Sequence, residues 1–205
     1  MTGGSCGGLD NGRVMALVAL GANVAGRWGR PEQTLRRAVA VLDALPGMRV
    51  VVASGLWRSA PFGGVAQPPF INAVVRLETA LLPHALLATL RDVERAAGRR
   101  RGVIWGARAL DLDLLDVGGR VMRPVGMGRL QGMAAGGRCM WRWQRKGLVL
   151  PHPGIALRAF VLWPLQEVAP GWRHPLLGAT ASALLGRLPP AVRAQCRPLG
   201  ARLVA

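Results

Sequence analysis

The run Leu110-Asp111-Leu112-Asp113-Leu114-Leu115 constrains the fold of this chain more than any other stretch. Alternating leucine and aspartate reads as a β-strand, because successive side chains of a strand point to opposite faces. One face is then apolar and has to be covered, while the other sets two carboxylates side by side. Like charges at that spacing repel, and burying them unpaired is costly, so the pair makes most sense with cations beside it. Hard oxygen donors suit magnesium, which proteins usually hold through one or two carboxylates together with substrate phosphates. The residues alone leave a second reading open, since an isolated Asp-x-Asp more often ends an edge strand and faces water.

The segments before this strand supply its partners. Residues 14–20 form a short apolar run that enters the turn Gly21-Ala22-Asn23, where the backbone can approach a ligand closely. Residues 31–45 carry Leu35, Ala38, Val39, Leu42 and Leu45 at helical spacing, with Pro31 in the first turn and Pro46-Gly47 at the end. Strand signals cover 49–57 and, after a Pro/Gly-rich loop, 70–77; a second helix covers 83–97, and the aspartate strand spans 109–117. The order β-α-β-β-α-β predicts an α+β fold of the ferredoxin-like kind, an antiparallel sheet with helices on one face and C-terminal additions. Domain organisation is expected to be a flexible tail over 1–13, one domain over 14–188 and a C-terminal tail over 189–205. Within the domain, the aperiodic Gly-, Met- and Arg-rich stretch 123–146 reads as a mobile insertion, 155–165 as ordered, and 179–188 as a final helix.

Apolar residues make up 51% of the 205, which fits a folded domain and argues against disorder. Lys and Arg outnumber Asp and Glu by 27 to 10, a net charge of +17 that favours polyanionic partners, from nucleotides to nucleic acids. No apolar run is long enough for a membrane span and no signal peptide is visible, so a cytoplasmic protein without membrane contacts is expected, as is a monomer. Cys6, Cys139 and Cys196 form no Cys-x-x-Cys pair and read as incidental thiols. His84 and His174 read as surface residues.

Further motifs recur in a fixed order: Gly21-Ala22-Asn23; Trp57-Arg58-Ser59-Ala60-Pro61; Gln67-Pro68-Pro69-Phe70-Ile71-Asn72; the basic segment from Glu94 to Gly102; Trp105 to Asp113; and Leu150-Pro151-His152 through Arg158-Ala159-Phe160. In these the chain resembles the 6-hydroxymethyl-7,8-dihydropterin pyrophosphokinases of folate synthesis, over about 14–188 apart from the insertion. The resemblance implies an ATP-dependent diphosphotransferase that moves pyrophosphate from MgATP to the pterin hydroxymethyl group and releases AMP. It implies two Mg2+ ions on Asp111 and Asp113, catalytic roles for Arg99 and Arg108, and ATP contacts from Glu94, Arg101, His152 and Arg158. It assigns the pterin to Ser59, Pro61, Phe62, Phe70, Asn72, Trp105 and Phe160.

Taken singly, Phe70 and Phe160 would be core residues, Glu94 a partner for Arg91 or Arg95, and Arg99 to Arg101 a solvated patch. The chain departs from the family pattern at Ile104, Ala107 and Ala109, where Arg, Pro and Thr are usual, which predicts weaker ATP binding rather than inactivity. Two rivals follow: a decayed member that binds ligand without turnover, and an RNA-binding ferredoxin-like module drawing on the +17 charge. A nucleic-acid partner is not expected, because such sheets display aromatics and this chain has no Tyr and three Phe.

Overall fold

The computed structural model describes residues 12–61, 66–99, 106–123 and 147–203. Strand β1 (Val14–Ala22) lies between β4 (Phe70–Thr79) and β5 (Asp111–Val117), antiparallel to both. Its apolar run has no polar alternation because both of its faces are covered. Ala16, Val18 and Leu20 join one core and Leu17 joins the other.

The first core is closed by α1 (Pro31–Ala44) and α2 (Pro83–Ala96), whose buried stripes are Leu35, Ala38, Val39 and Leu42 in one and Leu86, Leu90 and Val93 in the other. Both start on proline, whose missing N–H is no loss in a first turn. Chain reversal after α2 uses Gly98 at φ +94, a conformation L side chains avoid.

The strand expected over 49–57 is broken at Ser54 into β2 (Met48–Ala53) and β3 (Gly55–Ser59), and both halves pair with β4. Ser54 bridges the break: its N–H donates to the Val74 carbonyl at 3.0 Å, and its Oγ accepts from the Val74 N–H at 3.0 Å. A side chain thus stands in for a backbone acceptor of the ladder.

Three sequence expectations need correction. Helices cover both faces of the sheet, because α3 (Ala159–Val168) and α4 (Ala181–Arg187) pack on Leu17, Val74 and Leu115 opposite α1 and α2. The 189–205 stretch holds a short helix, α5 (Pro190–Ala194), and an edge strand, β6 (Cys196–Arg202), that pairs antiparallel with β3. Pro198 sits opposite Trp57, a position an edge strand tolerates because its outer N–H has no ladder partner to lose. His174 is buried at 6% exposure, where its Nδ1 accepts the Leu176 N–H and its backbone closes the turn before α4.

The sheet order is β5-β1-β4-β3-β6, with β2 also on β4, so the core retains the ferredoxin-like arrangement with C-terminal elements added to it. No helix among the described residues is long and apolar enough to cross a membrane. Residues 1–11 of the tail expected over 1–13 and 124–146 of the insertion expected over 123–146 lie outside the described residues, as do Phe62, Arg101, Ile104 and Trp105.

Candidate active site

Asp111 and Asp113 face Gly21 and Ala19 of β1 across the ladder, while Leu112 and Leu114 between and beyond them enter the core under α1 and α2. The alternation in the sequence therefore does what strand geometry requires, and the two carboxylates share one face. They line a cavity of about 220 Å³ with Arg108, His152 and Arg158 on one hand and Asn72, Phe70 and Phe160 on the other. Gly21 lies in the lining as well, and a Cβ there would sit 3.5 Å from Asn72 Oδ1.

Each aspartate is paired with cations of the protein. Asp111 Oδ1 accepts from Arg108 at 2.5 Å and lies 2.7 Å from Arg99, which also pairs with Glu94. Asp113 Oδ2 lies 3.2 Å from Arg158 and 3.9 Å from His152 Nε2. Gly154 makes the last arrangement possible, since a Cβ there would come within 2.8 Å of Arg158 Nε and 3.0 Å of His152 Cε1. Arg158 also rests over the Phe160 ring, 5.7 Å from its centroid, and so joins the charged wall to the aromatic one.

These contacts set the charge states. Burial works against ionisation of Asp113, yet His152, Arg158, Arg108 and Arg99 together outweigh it and hold the carboxyl below its ordinary range. Burial likewise disfavours the Arg108 cation, and Asp111 more than restores it. Burial lowers His152 against the pull of Asp113. Its Nδ1 accepts the Gly154 N–H at 3.0 Å, which leaves Nε2 to carry the proton toward Asp113. Glu94 is pushed up to about 7, by burial first, with Arg99 opposing and Asp111 adding to the push. Its Oε1 accepts the Leu112 N–H at 2.7 Å, so it grips the strand between the two aspartates rather than pairing with Arg91 or Arg95.

The other wall is neutral. Asn72, 5% exposed, donates from Nδ2 to Ser59 Oγ at 3.0 Å, which fixes β4 against β3 where both reach the cavity. Phe70 and Phe160 both line the cavity, and Phe160 also packs against the second core. Pro61 borders a neighbouring cleft of about 380 Å³, shared with Ser59, Phe160 and Cys196.

Gln67, quoted in its motif but given no role of its own, lines the cavity beside Phe70. One contributor has no signal in the sequence. Glu167, on α3, accepts from Gly55 N at 2.7 Å and from Trp57 Nε1 at 2.6 Å, while Trp57 stacks on Trp163 with ring centroids 5.4 Å apart. This clamp ties α3, which carries Phe160 in its first turn, to the strand that ends at Ser59. Nothing local in the sequence pairs residues about a hundred positions apart.

A family profile described as 7,8-dihydro-6-hydroxymethylpterin-pyrophosphokinase matches residues 17–170. The chain belongs to this family. The 2-amino-4-hydroxy-6-hydroxymethyldihydropteridine pyrophosphokinase of Synechocystis sp. is 36% identical over 170 residues, covering 83% of this chain and 74% of the relative. Its namesake from Methylorubrum extorquens is 35% identical over 175 residues, covering 85% of this chain and 94% of the relative. Among solved structures, a Plasmodium falciparum HPPK-DHPS with pterin and p-hydroxybenzoate shares the fold at a TM-score of 0.64 and 14% identity, over 92% of this chain. The chain spans about half of that protein, 47%. In this member of the family the charged and the neutral walls described above line one cavity.

Proposed function

We propose that the chain transfers the diphosphoryl group of MgATP to 6-hydroxymethyl-7,8-dihydropterin, releasing AMP, in folate biosynthesis. The observation that carries this reading is the meeting of Asp111 and Asp113 with Asn72, Phe70 and Phe160 in one cavity, in a member of the pyrophosphokinase family.

The donor set fits magnesium. Both carboxylates are hard oxygen donors on one strand face, and no group of three or more His, Cys, Asp or Glu suited to a metal occurs among the described residues. Phosphate oxygens and water would therefore complete the coordination, as is usual for this ion. Bound to Asp111 and Asp113, two magnesium ions would neutralise triphosphate oxygens and polarise the attacking hydroxyl.

Arg99, Arg108 and Arg158 pair with these carboxylates, and a triphosphate would offer each guanidinium a stronger, bidentate acceptor. On that exchange they would neutralise charge as it builds on the leaving α–β bridging oxygen. His152, with its proton on Nε2, is placed to donate to a phosphate oxygen. Asn72 and Ser59 would recognise the polar edge of the pterin, and Phe70 and Phe160 would bear on its ring faces, where offset stacking adds to area burial. The hydroxyl oxygen then bonds to the β-phosphorus, the bond from that phosphorus to the bridging oxygen breaks, and AMP departs with the electron pair while the hydroxyl proton passes to solvent. Positioning and electrostatics carry the step, as expected for transfer at phosphorus.

The RNA-binding alternative lacks a platform, because α1 and α2 cover one face of the sheet and α3 and α4 the other. The test is AMP production from ATP. AMP formed only when the hydroxymethyl-dihydropterin is present supports the reading, and binding of both ligands without AMP would mark a decayed family member.

A further inference from the structure

Asn23 follows β1 directly, is 4% exposed, and is absent from the lining of the cavity. Its hydrogen-bond partners Arg108 and Gln67 do line it. The Arg108 N–H donates to Asn23 Oδ1 at 2.7 Å and the Asn23 N–H donates to the Arg108 carbonyl at 3.0 Å, a closed two-bond clasp. Its Nδ2 donates to Gln67 Oε1 at 3.1 Å and to the Pro68 carbonyl at 3.0 Å. One carboxamide thereby uses its acceptor on the segment leading to Asp111 and both donors on the segment leading to Phe70 and Asn72.

We propose that Asn23 is a positioning residue that couples the two halves of the pocket, so that a pterin held by one half sets the backbone of the half that receives ATP. The inference rests on the pyrophosphokinase reading and extends it to a residue that touches neither substrate. The geometry supports it in three ways. The residue is buried, so none of the three bonds of its carboxamide or the one of its backbone N–H is easily exchanged for water. Its partners lie 44, 45 and 85 residues away, so one side chain joins two segments that the sequence keeps far apart. Arg108 is three residues from Asp111 and bonded to it, so a shift of the clasp moves a cation against the carboxylate. Coupling between sites is a difference in binding free energy and is reciprocal, so it can be read from either ligand.

Asn23→Asp separates the two arms. Aspartate keeps an acceptor for the Arg108 N–H, but it offers a second oxygen where the Pro68 carbonyl needs a donor. Calorimetry with the α,β-methylene analogue of ATP plus magnesium, and with 6-hydroxymethylpterin, each alone and then together, gives the coupling factor. In the wild type one ligand should tighten the other by at least about fivefold, within the range usual for coupled sites. In Asn23→Asp the factor should fall to near one, while each ligand alone binds within a few-fold of wild type. A second measurement needs no variant: 6-hydroxymethylpterin alone should slow hydrogen exchange at the Arg108 amide of the wild type. A folded Asn23→Asp protein with wild-type coupling would overturn the proposal. So would a wild type that binds both ligands independently, or unchanged Arg108 exchange on pterin binding. A wild type that binds neither ligand would instead remove the pyrophosphokinase reading, and the proposal with it.

Discussion

On the β5 side of the pocket, Asp111 and Asp113 are held by guanidiniums at 2.5 to 3.2 Å, whereas on the β3–β4 side Asn72 and Ser59 are held to each other by a neutral hydrogen bond. The contrast separates two kinds of preparation. The neutral wall is finished before any ligand arrives, because its buried amide already has a partner and its backbone is fixed by the sheet. The charged wall is in balance only with its own arginines, and ligand binding must exchange those ion pairs for metal and phosphate. Damage to the charged wall should therefore appear mainly in turnover, and damage to the neutral wall mainly in the concentration of pterin required.

The largest effect tests the charged wall. Asp111→Asn and Asp113→Asn should each lower AMP formation by about a thousandfold or more, on the order of 4 kcal/mol of transition-state stabilisation, while the protein stays folded by circular dichroism. A fall confined to the KM for pterin would erase the contrast between the walls.

A smaller effect should mark the neutral wall. Asn72→Ala removes one hydrogen-bonding amide and should raise the KM for pterin roughly tenfold, about 1.4 kcal/mol, with kcat within a few-fold of wild type. Steady-state kinetics with pterin varied at saturating ATP reads both numbers. A large drop in kcat at unchanged KM would show that the two walls are not functionally distinct.

A third effect concerns pH and is read in stability rather than in turnover. The Glu94 carboxyl is raised from 4.5 to about 7 by burial in the fold, so the folded state binds its proton more tightly than the unfolded chain. Its contribution to stability is complete below about pH 4.5 and is lost as pH rises toward 7, by up to about 3 kcal/mol from the usual 1.4 kcal/mol per pH unit. Glu94→Gln keeps an oxygen for the Leu112 N–H and removes the titration. Urea unfolding of wild type and variant at several pH values should give stabilities whose difference changes across pH 4.5 to 7 and is constant outside it. A constant difference throughout would place the Glu94 carboxyl at its ordinary value and refer the balance of charge to the arginines alone.

What could be read from the sequence follows the same physical division. Strand β5 and helices α1 and α2 were legible because period two and period 3.6 leave their marks on where leucine and valine fall. Strand β6 was not, since Pro198 and Gly200 argue against a strand and an edge position imposes no apolar face. The covering of the second face by α3 and α4 is a matter of which side of the sheet the chain crosses, and periodicity does not encode that. Arg99, Arg108, His152 and Arg158 were named from the resemblance, and the structure brings all four to the aspartates. The resemblance did not say that Glu94 would grip the Leu112 amide or that Asn23 would clasp Arg108, because each bond joins segments far apart in the chain.

The central claim is that Asp111 and Asp113 receive magnesium with the nucleotide, and ligand-dependent melting tests it most directly. With magnesium and the α,β-methylene analogue of ATP both present, the wild-type midpoint should rise well above that with either alone, through the linkage of binding to stability. Asp111→Asn and Asp113→Asn should lose most of that rise, each measured from its own midpoint without ligand, which should itself fall because a carboxylate paired with arginines is gone. A full wild-type rise in both variants would contradict the assignment of the carboxylates and the mechanism built on them.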